Sequence, residues 1–372
     1  MSKVRLGMVG GGQGAFIGAV HRIAARIDGK FELVAGALSS NPERAAASAV
    51  ELGIAADRSY ASYEEMAKAE AARPDGIEAV AIVTPNHMHA GPAIAFLNAG
   101  INVICDKPLA ATAEDAAAIK DAVAKSKARF ILTHNYTGYP LIRQAREMVA
   151  RGDLGKIRIV QAEYAQDWLT EAADPSNKQA EWRTDPAKAG GGAIGDIGTH
   201  AFNLLSFVTG LKTEALLAEL HSMVDGRRVD DNAHIMLRFE GGARGMLWAS
   251  QVAVGKENGL SLRIYGDKGG IEWNQENPNV MTFAKFGEPK QLITRGGAGL
   301  GGGAGNWTRI PPGHPEGYLE GFANIYNDAA DLIRGSGDGA LLPDITSGLD
   351  GMWFISACQE SSKADGAWIK KP

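Results

Sequence analysis

The sequence predicts an α/β protein in two domains: a parallel sheet wound with helices, then an α+β domain with a mainly antiparallel sheet. Three observations carry this prediction. Short apolar runs alternate with helix-length stretches through the first third of the chain, the mark of βαβ units. Beyond residue 135 strand-like runs follow one another without a helix after each. The length, 372 residues, is large for one core and comfortable for two. The boundary is expected near Asn135, giving domains 1–135 and 136–372.

Val4 to Val9 reads as the first strand and Phe16 to Ile27 as the helix that follows. Phe31 to Leu38 is the next strand and Pro42 to Leu52 an alanine-rich helix. Glu78 to Val83 and Ile101 to Cys105 are apolar runs too short for helices, as buried parallel strands are. Thr112, three residues ahead of Asp115, starts a helix that ends near Lys127, and Phe130 to Thr133 closes the series. In the second domain Ile157–Tyr164, His234–Phe239, Met246–Ser250 and Leu260–Tyr265 read as strands. Gly241-Gly242 and Gly266-Asp267 supply turns between or after them. Residues 295–306 are dominated by glycine and read as a mobile loop, and Ile345 to Lys363 as a helix.

Gly10-Gly11-Gly12-Gln13-Gly14-Ala15 follows the first strand directly and matches the G-x-G-x-x-G/A fingerprint of a Rossmann dinucleotide-binding domain. Gly10 would make the tight turn, Gly12 would let the backbone approach a pyrophosphate, and Ala15 would allow close helix–sheet packing. A second alignment uses Gly12 and Gly14, with Gly18 one turn on. Gln13, Phe16 and Ile17 lie where N–H groups at a helix start meet phosphate. At the end of the second strand an acidic residue would select NAD over NADP. This chain has Ser39-Ser40-Asn41 with Arg44 close behind, so either nicotinamide cofactor is expected to fit.

Thr84-Pro85-Asn86-His87-Met88-His89 follows the third apolar run, and Asp106-Lys107-Pro108 the next. Ligands of open parallel sheets bind outside the carboxyl ends of the strands. Thr84, Pro85, Asn86, His89, Asp106 and Lys107 are therefore expected beside the cofactor. In the second domain, Gly190-Gly191-Gly192 precedes Gly195-Asp196-Ile197-Gly198-Thr199-His200 and an apolar stretch to Val208. Four residues apart on a helix, Asp196 and His200 would share one face, with the carboxylate orienting an imidazole suited to proton exchange near neutrality.

Together these motifs, with Trp182-Arg183, resemble the Gfo/Idh/MocA family of glucose–fructose oxidoreductase, inositol dehydrogenase and relatives, over nearly the whole chain. The resemblance implies a catalytic set of Lys107, Asp196 and His200, and places Trp182 and Arg183 on the cofactor. It also implies an open antiparallel sheet in the second domain, used for a homodimer or homotetramer. Where the family more often has Glu before the lysine, this chain has Asp106. The expected chemistry is hydride exchange between a nicotinamide and a hydroxyl-bearing carbon of a sugar, anhydrosugar, glycoside or cyclitol. His200 would take the hydroxyl proton and Lys107 would steady the oxyanion.

Asn135 is expected on the cofactor, and Tyr136, Tyr164, Asp167, Trp168, His314 and Tyr318 around a polyhydroxylated substrate. Segment 295–306 would then act as a lid. No metal is expected, because His87, His89 and His134 have no carboxylate or thiol partner at ligand spacing. A net charge of −5 gives no footing for nucleic acid. Two cysteines make no disulfide framework, and Lys3 and Arg5 lead straight into a strand without an apolar leader. With no apolar run of ~20 residues, a cytoplasmic enzyme is expected. Rival readings are an NAD-dependent glycoside hydrolase working by transient C3 oxidation, a dicarbonyl or imine reductase, and a non-catalytic nucleotide sensor.

Overall fold

A computed structural model describes residues 2–172, 190–301 and 305–372, so Trp182 and Arg183 lie outside the described residues. The chain divides into two compact units, Met1–Asn135 with Tyr318–Leu349, and Tyr136–Gly317 with Asp350–Pro372.

In the first unit the elements run β1 (Val4–Gly10), α1 (Phe16–Ile27), β2 (Phe31–Ala37), α2 (Pro42–Glu51), α3 (Tyr63–Ala72), β3 (Ala79–Val83), α4 (Ala90–Asn98), β4 (Asn102–Cys105), α5 (Ala113–Lys125) and β5 (Phe130–Leu132). The strands form one parallel sheet in the order β2-β1-β3-β4-β5. Every residue of β3 is buried, which is why the run is apolar without alternation. The Thr112 hydroxyl accepts the Asp115 N–H at 3.1 Å and caps α5.

The second unit holds α6 (Pro140–Arg151), β6 (Ile157–Ala165), α7 (Thr199–Thr209), β7 (Thr213–His221), β8 (Asn232–Phe239), β9 (Arg244–Ser250), β10 (Gly259–Gly266), β11 (Gly269–Asn274), β12 (Val280–Lys285) and β13 (Gln291–Thr294). Its nine-stranded sheet has the order β13-β12-β11-β10-β6-β9-β8-β7-β14, with β14 at Ile369–Lys370. All neighbours are antiparallel except β6 and β9, so the sheet is mixed at its centre. Along β8 buried and exposed residues alternate, as they do when one face packs and the other is open. Tyr136, Leu141, Phe202, Leu205, Leu247 and Phe354 belong to the core on the packed face.

One segment sits differently from the sequence division. Helix α8 (Tyr318–Arg334) falls in the first unit, although it follows most of the second in the chain. Its buried stripe of Phe322, Ile325, Tyr326, Ala329 and Ala330 joins the core formed by Val20, Ala24 and Phe31. Tyr326 meets the Phe31 ring edge-on at 5.2 Å. Helix α9 (Ile345–Lys363) begins in the first unit and continues into the second.

Candidate functional site

In the first unit the motif residues stand where the parallel strands end. The turn after β1 leads into α1, whose cap residue, Ala15, makes no side-chain capping bond and whose first turn holds no acid. The positive end of the helix is thus left without a protein counter-charge from its own first turn. Gly14 has φ +79° and nothing within 4 Å of where a Cβ would stand, so the chain surface there is open to a ligand. Two nearby glycines are close-packed within the protein. Gly12 donates its N–H to the Leu38 carbonyl at 3.2 Å, and a Cβ there would lie 2.8 Å from that oxygen, so its smallness serves internal packing. Gly18 lies close to the turn after β1, since a Cβ on Gly18 would stand 2.4 Å from the Gly11 Cα.

After β2, the Ser39 hydroxyl accepts the Asn41 N–H at 3.1 Å, and Asn41 in turn caps α2 by accepting the Arg44 N–H at 2.9 Å. Ser40 and the Arg44 side chain are exposed. Gln13 is also exposed and bonds Glu51 at 3.0 Å, while its N–H donates to Ser48 at 3.0 Å. Phe16 is exposed, whereas Ile17 packs on the core.

After β4 the Asp106 carboxylate accepts the Lys107 backbone N–H at 2.9 Å and the Thr133 hydroxyl at 3.0 Å. The Lys107–Pro108 peptide is cis. His134, just past β5, is buried, and desolvation together with the Lys107 charge pushes its pKa down to about 3. Lys107 and the end of β5 therefore share one electrostatic neighbourhood. Next in the chain, Asn135 is 2% exposed and its Nδ2 has no hydrogen-bond partner among the described residues. A buried amide donor of that kind calls for an outside acceptor. Together with the open glycine turn and the uncapped helix, it fits a nicotinamide dinucleotide, which presents a diphosphate and several carbonyl and ribose oxygens.

In the second unit, Asp196 and His200 do not share an ordinary helical turn. Residues Ile194–Gly198 form a π-helical turn that runs into α7, a rare geometry that tends to mark functional positions. Asp230 fixes its start: the carboxylate accepts the N–H groups of Gly192 and Ile194 at 2.8 Å each, and burial pushes its pKa up. Gly192 must be small because a Cβ would meet the Asp230 carbonyl at 1.8 Å. Asp196 accepts a hydrogen bond from Gln251 Nε2 at 2.9 Å.

His200 is mostly buried against two aromatic rings. The centroid of Tyr136 lies 4.9 Å from the imidazole, edge-on, and that of Tyr164 at 6.1 Å. The two tyrosine hydroxyls are 2.5 Å apart, and Tyr164 donates on to Asn258 Oδ1 at 2.8 Å. That fixes the direction of the chain, with Tyr136 donating to Tyr164. Burial, aided by the charge of Asp196, raises the Tyr136 pKa and keeps the phenol protonated. Sequence reading missed Gln251, Asp230 and Asn258, which carry no motif and lie far along the chain from the residues they hold.

The remaining substrate candidates belong to separate segments. The Asp167 carboxylate accepts the Gly255 N–H at 3.0 Å and so holds a turn. Trp168 is 39% exposed and donates to Gln166 at 3.0 Å. His314 is exposed in the second unit, while Tyr318 belongs to the first and packs on Phe322 with centroids 5.3 Å apart. Segment 295–306 is anchored rather than loose at its start. Arg295, 2% exposed, bonds Asn279 at 2.8 Å and Glu316 at 3.2 Å, and the Gly301 N–H donates to Gln144 at 2.8 Å. Residues 302–304 lie outside the described residues. No helix among the described residues is long and apolar enough to cross a membrane.

Comparison with known proteins places this geometry. Residues 4–145 match the oxidoreductase family with an NAD-binding Rossmann fold, and residues 142–272 match the GFO/IDH/MocA C-terminal domain. The crystal structure of an oxidoreductase from Sinorhizobium meliloti is 55% identical, with a TM-score of 0.92 and all of both chains covered. An inositol dehydrogenase homologue from Azotobacter vinelandii, crystallised with NAD+, is 37% identical with a TM-score of 0.94, covering 100% of this chain and 98% of that one. The levoglucosan dehydrogenase of Pseudarthrobacter phenanthrenivorans is 32% identical over 76% of this chain and 77% of its own. The chain belongs to the GFO/IDH/MocA family of NAD-binding oxidoreductases.

Proposed function

We propose that this family member is a dehydrogenase that oxidises a hydroxyl-bearing carbon of a sugar, anhydrosugar or cyclitol, and runs the reverse reduction, with Lys107, Asp196 and His200 as its catalytic residues. The nicotinamide cofactor, when bound, supplies the hydride acceptor or donor. Gly14, the start of α1 and Asn135 would hold it, with Thr84, Pro85 and Asn86 alongside. His200 takes the proton from the substrate hydroxyl, or returns it, at one imidazole nitrogen. The Lys107 ammonium steadies the negative charge on that oxygen. Asp196, steadied by Gln251, orients the imidazole or a second hydroxyl.

The observation that carries the reading is Lys107 at the carboxyl end of β4, in the unit whose glycine turn and Asn135 fit the dinucleotide. Relatives named for inositol and levoglucosan support a polyhydroxylated substrate. The turn after β2 holds no carboxylate and exposes Arg44, so the reading extends to NADP. We assign the chain to the cytoplasm and to a homo-oligomer as part of the same proposal.

The test is a cofactor-reduction screen against inositols, anhydrosugars, glycosides and aldoses, with NAD and NADP run separately. Lys107→Met is expected to bind NADH normally and to lose about 100- to 10,000-fold in kcat. Turnover near the wild-type rate would refute the assignment.

A further inference from the structure

His89 stands at the N-terminal end of α4, makes no side-chain capping bond to it, and is fully buried. Its Nδ1 lies 2.8 Å from the carbonyl oxygen of Pro108, and its Nε2 lies 2.9 Å from that of Thr84. A carbonyl only accepts, so each contact needs a ring N–H: a neutral imidazole serves one of the two, a protonated one serves both. Burial favours the neutral ring, and the nearby Asp106 carboxylate favours the charged one. Thr84 opens the loop after β3, while Pro108 directly follows Lys107 in the loop after β4. One side chain therefore ties the loop expected along the cofactor to the loop that carries the lysine. With both ring nitrogens turned to backbone, His89 has no polar atom left for the cofactor contact expected from the sequence.

We propose that His89 is a positioning residue for Lys107, a staple between the Thr84 and Pro108 carbonyls that holds the ammonium at its working place. The inference rests on Lys107 being catalytic. On the other side of Lys107, Asp106 accepts from the Lys107 N–H and from the Thr133 hydroxyl, so the His89 contact adds a tie at Pro108 to those at Asp106.

The test compares His89→Leu, His89→Asn and His89→Gln. The asparagine amide nitrogen falls near the place of Nδ1 and can still donate to Pro108; the glutamine amide reaches the place of Nε2 and serves Thr84. In His89→Leu we expect kcat to fall about 10- to 100-fold, the loss that follows from a displacement of about 1 Å, with NADH affinity little changed by fluorescence titration. Independently of turnover, competitive acetylation of cofactor-free protein, read by peptide mass spectrometry, reports the environment of Lys107 against Lys30 as reference. The Lys107 rate is expected to change in His89→Leu, stay changed in His89→Gln and return toward wild type in His89→Asn. Should His89→Leu fail to fold, the Asn–Gln pair decides alone. Equal Lys107 labelling in the two amide variants, or a loss of NADH affinity as large as the loss of kcat, overturns the staple. Lys107→Met assayed alongside separates the two claims, because normal turnover there would sink the lysine's role whatever the labelling shows.

Discussion

In the first unit the functional edge is made of backbone, and in the second it is made of side chains. The ends of β1, β3, β4 and β5 deliver Gly14, Thr84, Lys107 and Asn135 to one side of the sheet because parallel strands all finish there. Nothing further is needed to gather them except short loops, and bonds such as Asp106 to the Lys107 N–H tighten what the strand order has already arranged. In the second unit Asp196 sits on a π-turn and His200 on the helix it runs into; the start of the turn is tied to Asp230 and the Asp196 carboxylate to Gln251, both distant in sequence. Tyr136 and Tyr164 are bonded directly to each other, and Tyr164 is likewise held by a distant residue, Asn258. A site set by strand ends tolerates change in most side chains but not in its close backbone approaches. One held by a polar network behaves the other way round.

Three experiments sharpen or break this contrast. The largest effect is expected at Gly18, where a Cβ would lie 2.4 Å from backbone that cannot swing aside. Gly18→Ala should cost about 1–3 kcal/mol and weaken NADH binding, as read by denaturant melts and titration. A neutral Gly18→Ala would mean that the first unit is not governed by backbone contact.

The second concerns acid. Burial lowers the pKa of His21, His89 and His134 in the first unit, that of His134 to about 3 against an ordinary 6.5. Below pH 6.5 the unfolded chain binds protons that the folded unit refuses, so stability is intact above that value and declines as pH falls toward 3. The slope is at most about 1.4 kcal/mol per pH unit for each histidine. Hydrogen exchange followed peptide by peptide should show the first unit loosening between pH 6.5 and 5, and His134→Gln should flatten the trend. If His134→Gln leaves the slope unchanged, that histidine is not the source.

The smallest effect is expected at Gln251, which touches Asp196 and lies in no motif. Gln251→Ala should lower kcat about 10-fold with little change in NADH affinity, because an orienting hydrogen bond to a charged group is lost. Wild-type kcat in that variant would show that Asp196 holds its place without the network.

Legibility in the sequence followed the same division. The five parallel strands, the Thr112 cap and the motif positions after β1, β3 and β4 were all readable, since each rests on a local pattern of apolar runs and turn residues. Helix α8 was left with the second domain because order along the chain says nothing about which core an amphipathic stripe will meet. The parallel pairing of β6 with β9 had no local signal either. The close contacts at Gly11, Gly12 and Gly18 depend on how α1 and the neighbouring loops run, which a fingerprint alone does not show.

What the chain alone determined is the class of the protein, its family and the candidate residues for its chemistry, because short-range periodicity and motif spacing are properties of neighbouring residues. What the tertiary structure decided is how those residues are held: His89 between two carbonyls, Asp196 on Gln251, and His200 against a hydrogen-bonded tyrosine pair. These contacts join residues from different loops and elements, from 5 to 55 residues apart for the hydrogen bonds, and their geometry exists only once the core of the unit that holds them has packed.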